Sequence, residues 1–164
     1  MILDLKDIFR GISGGASFAY SLDFSDIEYL GEKPYKKPVL ARGEVKNIAG
    51  AVLLNAEAEV FISLNCARCN RPAELTKTIG IECTVAGSET DAGENDDIII
   101  AGDSKLDLDE LILSSVILET DTVILCKPDC KGLCPKCGAD LNEGDCNCPQ
   151  KDIDPRLEKL KKLL

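Results

Sequence analysis

The sequence contains no histidine and no tryptophan, and aromatic residues make up only 4% of its 164 positions. Without histidine, a Ser/His or Cys/His nucleophile pair cannot form. Any transition-metal site must then rest mainly on thiolates. With so few rings, the core has to be assembled from Ile, Val, Leu and Ala. No stretch approaches the roughly 18 apolar residues of a membrane span. The opening "MILDLKDIFRGISGGASF" lacks the long apolar run of a signal peptide. No P-loop is present, and no G-x-G-x-x-G opens a helix. An enzyme is not expected, and a cytoplasmic location is.

Cysteine is plentiful instead. There are nine, six of them within "CKPDCKGLCPKCGADLNEGDCNCPQ" from Cys126 to Gln150. A reducing cytosol keeps thiols free, so such a cluster points to metal or redox chemistry before a disulfide frame. Charge is the second surplus. The net charge is −10, and it is uneven: residues 126–164 carry eight basic against seven acidic side chains, residues 1–125 eleven against twenty-two. The acidic part should repel nucleic acid and suit a basic protein partner.

Alternation supplies the strongest structural signal. Val52, Leu54, Ala56, Ala58, Val60, Ile62 and Leu64 alternate with a more polar set, the period of a half-buried strand. After "CARCNRP" a second run places Ile79, Ile81, Cys83 and Val85 on one face. Joined by a short polar turn, the two predict a long β-hairpin. "VLARGEVKNI" predicts a third strand, "IIIAG" a short one, and "DTVIL" a strand leading into the cysteines. Asp107 followed by Glu110 has capping-box spacing, and Leu108, Leu111, Ile112 and Val116 follow at helical spacing, so a helix is predicted over about 108–119. Residues 1–38 are weakly patterned, with "GEKPYKKP" an irregular connection. Residues 87–97, "GSETDAGENDD", form an acidic loop. Asp154 and Pro155 open a terminal helix with an apolar stripe of Leu157, Leu160 and Leu164.

These signals define an α+β fold dominated by an antiparallel sheet with a long hairpin. One or two helices pack on it, and a C-terminal four-cysteine zinc knuckle and a short helix follow. The expected division is a core over 1–125, including acidic loop 87–97, and a knuckle-and-helix segment over 126–164.

A C-x2-C pair wraps one metal because two intervening residues let both sulfurs turn toward a point, and Gly138 after Cys137 permits the close turn. The most economical zinc site is Cys134, Cys137, Cys146 and Cys148. Four thiolates saturate a tetrahedral zinc and leave no open position, so the site is structural. Cys66, Cys69, Cys126 and Cys130 remain as two pairs and define a second site if the hairpin turn lies beside residue 126. Groupings in which Cys130 replaces Cys146 or Cys148, an iron–sulfur cluster, and a redox pair at Cys66 and Cys69 stay open. Cys83 shares a face with Ile79, Ile81 and Val85 and reads as a buried apolar thiol.

The string "CKGLCPKCGADLNEGDCNC", followed by "IDPRLEKLKKLL", resembles the C-terminal signature of the YceD-like family of large ribosomal RNA subunit accumulation proteins. "CARCNRP" resembles that family's mid-chain Cys-x-Arg-Cys element, and "LDLDELILSSVIL" the segment before its last cysteines. The likeness covers roughly residues 40–164. It implies a bacterial or plastid protein needed for synthesis or maturation of large-subunit rRNA. The expected partner is a basic ribosomal protein or a precursor rRNA–protein complex, with Arg68, Arg71, Lys131, Lys136 and Arg156 as contact residues. A thiol-based redox sensor, a zinc-stabilised protein-interaction module and direct RNA binding are the rival readings.

Overall fold

The computed structural model describes residues 1–87 and 98–148. Its elements run β1 (Ile2–Asp4), α1 (Lys6–Phe9), β2 (Gly15–Leu22), β3 (Val39–Ile48), β4 (Ala51–Asn65), β5 (Pro72–Ala86), β6 (Ile98–Ile100), a 3-10 turn (Gly102–Ser104), β7 (Lys105–Asp107) and α2 (Leu108–Glu119). Five strands form one sheet in the order β2-β3-β4-β5-β6, and β1 pairs with β7 beside it.

The hairpin of β4 and β5 is the spine of the sheet. Its register runs from Val52 opposite Val85 to Asn65 opposite Pro72. The period-two pattern places Val52, Leu54, Ala58, Val60, Ile62, Ile79, Ile81 and Val85 in the core. Each Val, Leu or Ile so buried contributes about 1.5–3 kcal/mol over its exposed state. Gly43 on β3 has a packing reason: a Cβ there would stand 2.5 Å from the Asn55 carbonyl oxygen and 2.6 Å from the Ala56 Cβ.

The sheet is mainly antiparallel, as expected, but it is mixed at one edge. β6 runs parallel to β5, with Thr84, Val85 and Ala86 opposite Ile98, Ile99 and Ile100. A tight turn forces antiparallel return, whereas the long connection between β5 and β6 allows re-entry from the same end.

α2 covers the inner face of the sheet with Leu108, Ile112 and Val116, all buried. Asp107 caps it, accepting hydrogen bonds from the backbone N–H groups of Asp109 and Glu110 at 3.0 and 3.4 Å. At the other end Thr120 is buried. Its hydroxyl donates to the Val116 carbonyl at 2.6 Å and meets the Tyr35 hydroxyl at 3.1 Å, while Tyr29 donates to the Thr120 carbonyl at 2.9 Å. The irregular 23–38 segment is thus a packed element: Tyr35 is fully buried and meets Phe24 edge to face, with ring centroids 6.4 Å apart.

Two other expectations change. Residues 121–125, "DTVIL", form no strand; they pass the tip of the hairpin, where the Ile124 carbonyl accepts from Ala67 N–H at 2.9 Å. Residues 1–38 contain a well-formed strand, β2, which the pattern alone left unassigned. The terminal helix, Arg156 and positions 88–97 of the acidic loop lie outside the described residues. Among the described residues, no helix is long and apolar enough to cross a membrane.

Candidate metal centres

The turn between β4 and β5 is closed by local backbone bonds. Cys66 N–H donates to the Arg71 carbonyl at 2.7 Å, and Asn70 N–H to the Cys66 carbonyl at 2.9 Å. Asn70 takes the left-handed conformation, φ 57°, which Asn tolerates better than most residues. The turn presents Cys66 and Cys69 side by side. The chain leaving α2 then passes this tip at Ile124 and delivers Cys126 and Cys130 to the same place. Cys66 and Cys130 sulfurs stand 3.8 Å apart, and those of Cys69 and Cys126 3.5 Å. All four sulfurs lie within 4.8 Å of one another; Cys66, Cys69 and Cys130 are buried and Cys126 is exposed.

A second tetrad follows immediately. Cys134, Cys137, Cys146 and Cys148 also bring their sulfurs within 4.8 Å of one another. Residues 132–141 fold back on themselves: Cys134 N–H donates to the Ala139 carbonyl and Gly138 N–H to the Cys134 carbonyl, both at 2.8 Å, and Leu141 N–H to the Gly132 carbonyl at 2.9 Å. Gly138, at φ 72°, is the left-handed residue that the C-x2-C turn needs. Cys134 is buried, Cys137 exposed, and Cys146 and Cys148 half-buried.

All nine cysteines are free thiols. The sulfur separations of 3.5 and 3.8 Å are far beyond the about 2.05 Å of a disulfide. They suit another geometry, because four sulfurs about 2.3 Å from a central ion stand about 3.8 Å apart. Each tetrad could therefore hold one metal ion. Cys83 belongs to neither; it lies half-buried on β5, and burial pushes its thiol up.

The ionisation of the thiols has the same local causes. Burial opposes the Cys66 thiolate, but backbone hydrogen bonds from Cys126, Cys69 and Arg68 outweigh it and bring the thiol down to about 6. Backbone hydrogen bonds from Cys137 and Lys136 bring Cys134 to about 6 as well. Two other thiols, one in each tetrad, are held in the opposite direction. Cys126 is pushed up to about 12, first by its hydrogen bond with Cys69 and then by burial. Cys148 is pushed up to about 12, first by Cys137 and then by burial. A divalent ion would replace the protons on these two thiols.

Side chains tie the two tetrads together. Asn142 donates from Nδ2 to the Cys130 sulfur at 3.5 Å and accepts from Lys131 N–H at 2.9 Å. Arg68 donates from Nη1 to the Cys130 carbonyl at 2.8 Å. Its own carbonyl accepts from Leu133 N–H at 3.1 Å. Gly132 fits against this turn, since a Cβ there would stand 3.0 Å from the Arg68 carbonyl oxygen. Arg71 pairs with Asp140 at 2.8 Å and also with Glu143. The Asn142 backbone N–H holds the Asp140 carboxyl below the usual carboxylate range, with Arg71 a lesser cause. Arg68 and Arg71, expected at a partner surface, are thus engaged within the chain, although both residues remain exposed beside exposed Lys131 and Lys136. Asn142 was not singled out by the sequence; the only signal was the turn-rich character of "GADLNEGD".

Fold and site together define a mainly β protein whose C-terminal segment is gathered by two cysteine tetrads at one end of a long hairpin. The family described as large ribosomal RNA subunit accumulation protein YceD matches residues 54–164, and the chain belongs to it. An uncharacterized protein of Mycobacterium tuberculosis is 32% identical over 123 residues, covering 73% of this chain and 59% of that protein. A chloroplastic protein of Zea mays, named large ribosomal RNA subunit accumulation protein YCED homolog 1, is 25% identical over 92% of this chain and 62% of its own length. The chain thus spans about three fifths of these relatives. No solved structure matches it.

Proposed function

We propose that this protein is a non-enzymatic ribosome biogenesis factor that supports large-subunit rRNA synthesis, processing or accumulation. The observation that carries the reading is the family match, which spans both C-terminal strands of chemistry: the hairpin tip and the clustered cysteines. Zinc is the metal of choice for both tetrads, because sulfur-only tetrahedral sites without histidine favour it among the available divalent ions. With four thiolates bound the ion has no open position. It stiffens a docking surface and performs no reaction.

The partner is basic, either a ribosomal protein before assembly or a precursor of the large subunit, because residues 1–125 carry twice as many acidic as basic side chains. Lys131, Lys136, Arg68, Arg71 and Arg156 are the basic contacts of the cysteine-bearing end. The test is a pull-down of the full chain from growing cells, with RNA and protein both identified. Recovery of large-subunit proteins or precursor rRNA is expected; recovery of neither would overturn the reading.

One observation favours a second reading, a thiol-based redox sensor. Each tetrad includes one exposed residue, Cys126 in the first and Cys137 in the second, and an oxidant needs such access. Peroxide separates the two: a sensor releases zinc within minutes at low dose, and a structural site does not.

A further inference from the structure

The five-stranded sheet has two edges, and they are built differently. On β5 the Cys66 N–H bond to the Arg71 carbonyl fixes which residues face β4. Because backbone direction alternates along an antiparallel ladder, Pro72, Glu74, Thr76, Thr78, Gly80 and Glu82 aim their backbone groups outward. A proline and two carboxylates guard this edge, the usual protection against unwanted pairing. Thr84–Ala86, beyond them, are covered by β6.

β2 has no such guard. Its register with β3 runs from Gly15 opposite Lys46 to Leu22 opposite Val39. Asn47 N–H donates to the Gly14 carbonyl at 3.1 Å, so even-numbered residues face β3 and odd-numbered ones face outward. Gly15, the first outward residue, is capped by Ser13, whose hydroxyl donates to its carbonyl at 3.1 Å and accepts from its N–H at 3.4 Å. The next three, Ser17, Ala19 and Ser21, are all exposed. Their outward N–H and C=O groups have no hydrogen-bond partner among the described residues. The strand "GASFAYSL" carries no charge, no proline and no bulge.

We infer that β2 is a self-association edge, pairing antiparallel with β2 of a second copy about a two-fold axis at Ala19. The sequence of the edge is self-complementary. In that register Ala19 lies opposite Ala19, Ser17 opposite Ser21 and Phe18 opposite Tyr20, so "SFAYS" is close to its own mirror image. Every outward backbone group of Ser17, Ala19 and Ser21 gains a partner, and no like charges face each other at the seam. A cationic foreign strand would find no carboxylate on β2 to recognise. The net charge of −10 opposes association at low salt but is screened beyond about 8 Å at physiological ionic strength. The inference is independent of the proposed ribosomal role.

The test is sedimentation of the full metal-loaded chain across a broad concentration range, in low and in high salt. Concentration-dependent dimerisation that strengthens with salt is expected. Ala19→Glu and Ala19→Lys each place like charges on the axis and should weaken the dimer about tenfold or more, while a 1:1 mixture of the two restores it. Both variants alter an exposed position, and unchanged thermal melting checks that they fold. A wild-type chain that stays monomeric throughout overturns the proposal. So does an Ala19→Glu variant that dimerises like wild type, or capture on this edge of a basic strand peptide by an otherwise monomeric chain.

Discussion

Removing the metal should release residues 126–148 from the hairpin tip while leaving the sheet intact. The bonds that tie this segment to the tip without any ion are few. Among the described residues, and apart from the thiols themselves, the main ones are Leu133 N–H to Arg68 C=O, Arg68 Nη1 to Cys130 C=O, the pairing of Arg71 with Asp140 and Glu143, and, just before the segment, Ala67 N–H to Ile124 C=O. At about 1 kcal/mol for each hydrogen bond, the three contribute about 3 kcal/mol together, and the exposed ion pairs add little. Fixing the 23 residues 126–148 in one backbone conformation costs at least about 20 kcal/mol. A structural zinc contributes about 10 kcal/mol or more per site, so two ions offset what the hydrogen bonds cannot. The assay is limited trypsin digestion followed by intact-mass analysis, before and after chelation. In the metal-loaded protein, cleavage after Lys131 and Lys136 should be slow. Chelation should open both sites within minutes, while residues 39–86 stay protected by the β3-β4-β5 ladder. If the chelated chain resists cleavage as the loaded one does, the metal does not hold this segment and the reasoning fails.

Other expectations follow from individual contacts. Asn142→Ala removes the amide that donates to the Cys130 sulfur and should speed metal loss from the hairpin-tip tetrad about tenfold, measured with a chromogenic chelator; equal rates would make Asn142 irrelevant to that site. Metal loading should fall as pH drops through about 6, where the Cys66 and Cys134 thiolates take up protons. At neutral pH loading must expel the protons held by Cys126 and Cys148, both pushed up to about 12. Acid therefore opposes binding and base favours it. A zinc titration in weak buffer reads both effects, and loading unchanged from pH 5 to 8 would contradict the account. Tyr35→Phe deletes the buried hydroxyl that meets Thr120 Oγ1 at 3.1 Å and should cost about 1 kcal/mol, lowering the melting temperature by about 2–4 °C. Calorimetry showing no change would mean that the hydroxyl pairing is not a net stabiliser.

What the sequence reveals depends on how local its cause is. β4 and β5 can be read from alternation because one face of each is apolar over seven residues or more, and α2 from Asp107 and the 3.6-residue spacing behind it. β2 alternates too, with Ala16, Phe18, Tyr20 and Leu22 inward, but serine and alanine on the other face leave little contrast. The direction of β6 hangs on where the connection from β5 re-enters the sheet, and nothing within "III" encodes that. Tyr35 sits in a stretch of proline, lysine and glycine that signals a surface loop; its burial comes from the end of α2, far away in the chain. Spacing pairs the cysteines as Cys66 with Cys69 and Cys134 with Cys137. Which pair meets which is a tertiary matter, decided by the passage of Ile124 beside Ala67. Arg68 and Arg71 read as surface charges for the same reason: their partners Cys130, Asp140 and Glu143 are about sixty to seventy positions downstream.

The two cysteine tetrads could each hold one metal ion, and native mass spectrometry of the purified chain counts bound ions directly. The prediction is a mass increment of two zinc ions per chain, falling to one when Cys130→Ser breaks the hairpin-tip tetrad and to one when Cys137→Ser breaks the other. A folded chain that carries no metal, or one whose metal content is unchanged by either substitution, would contradict it.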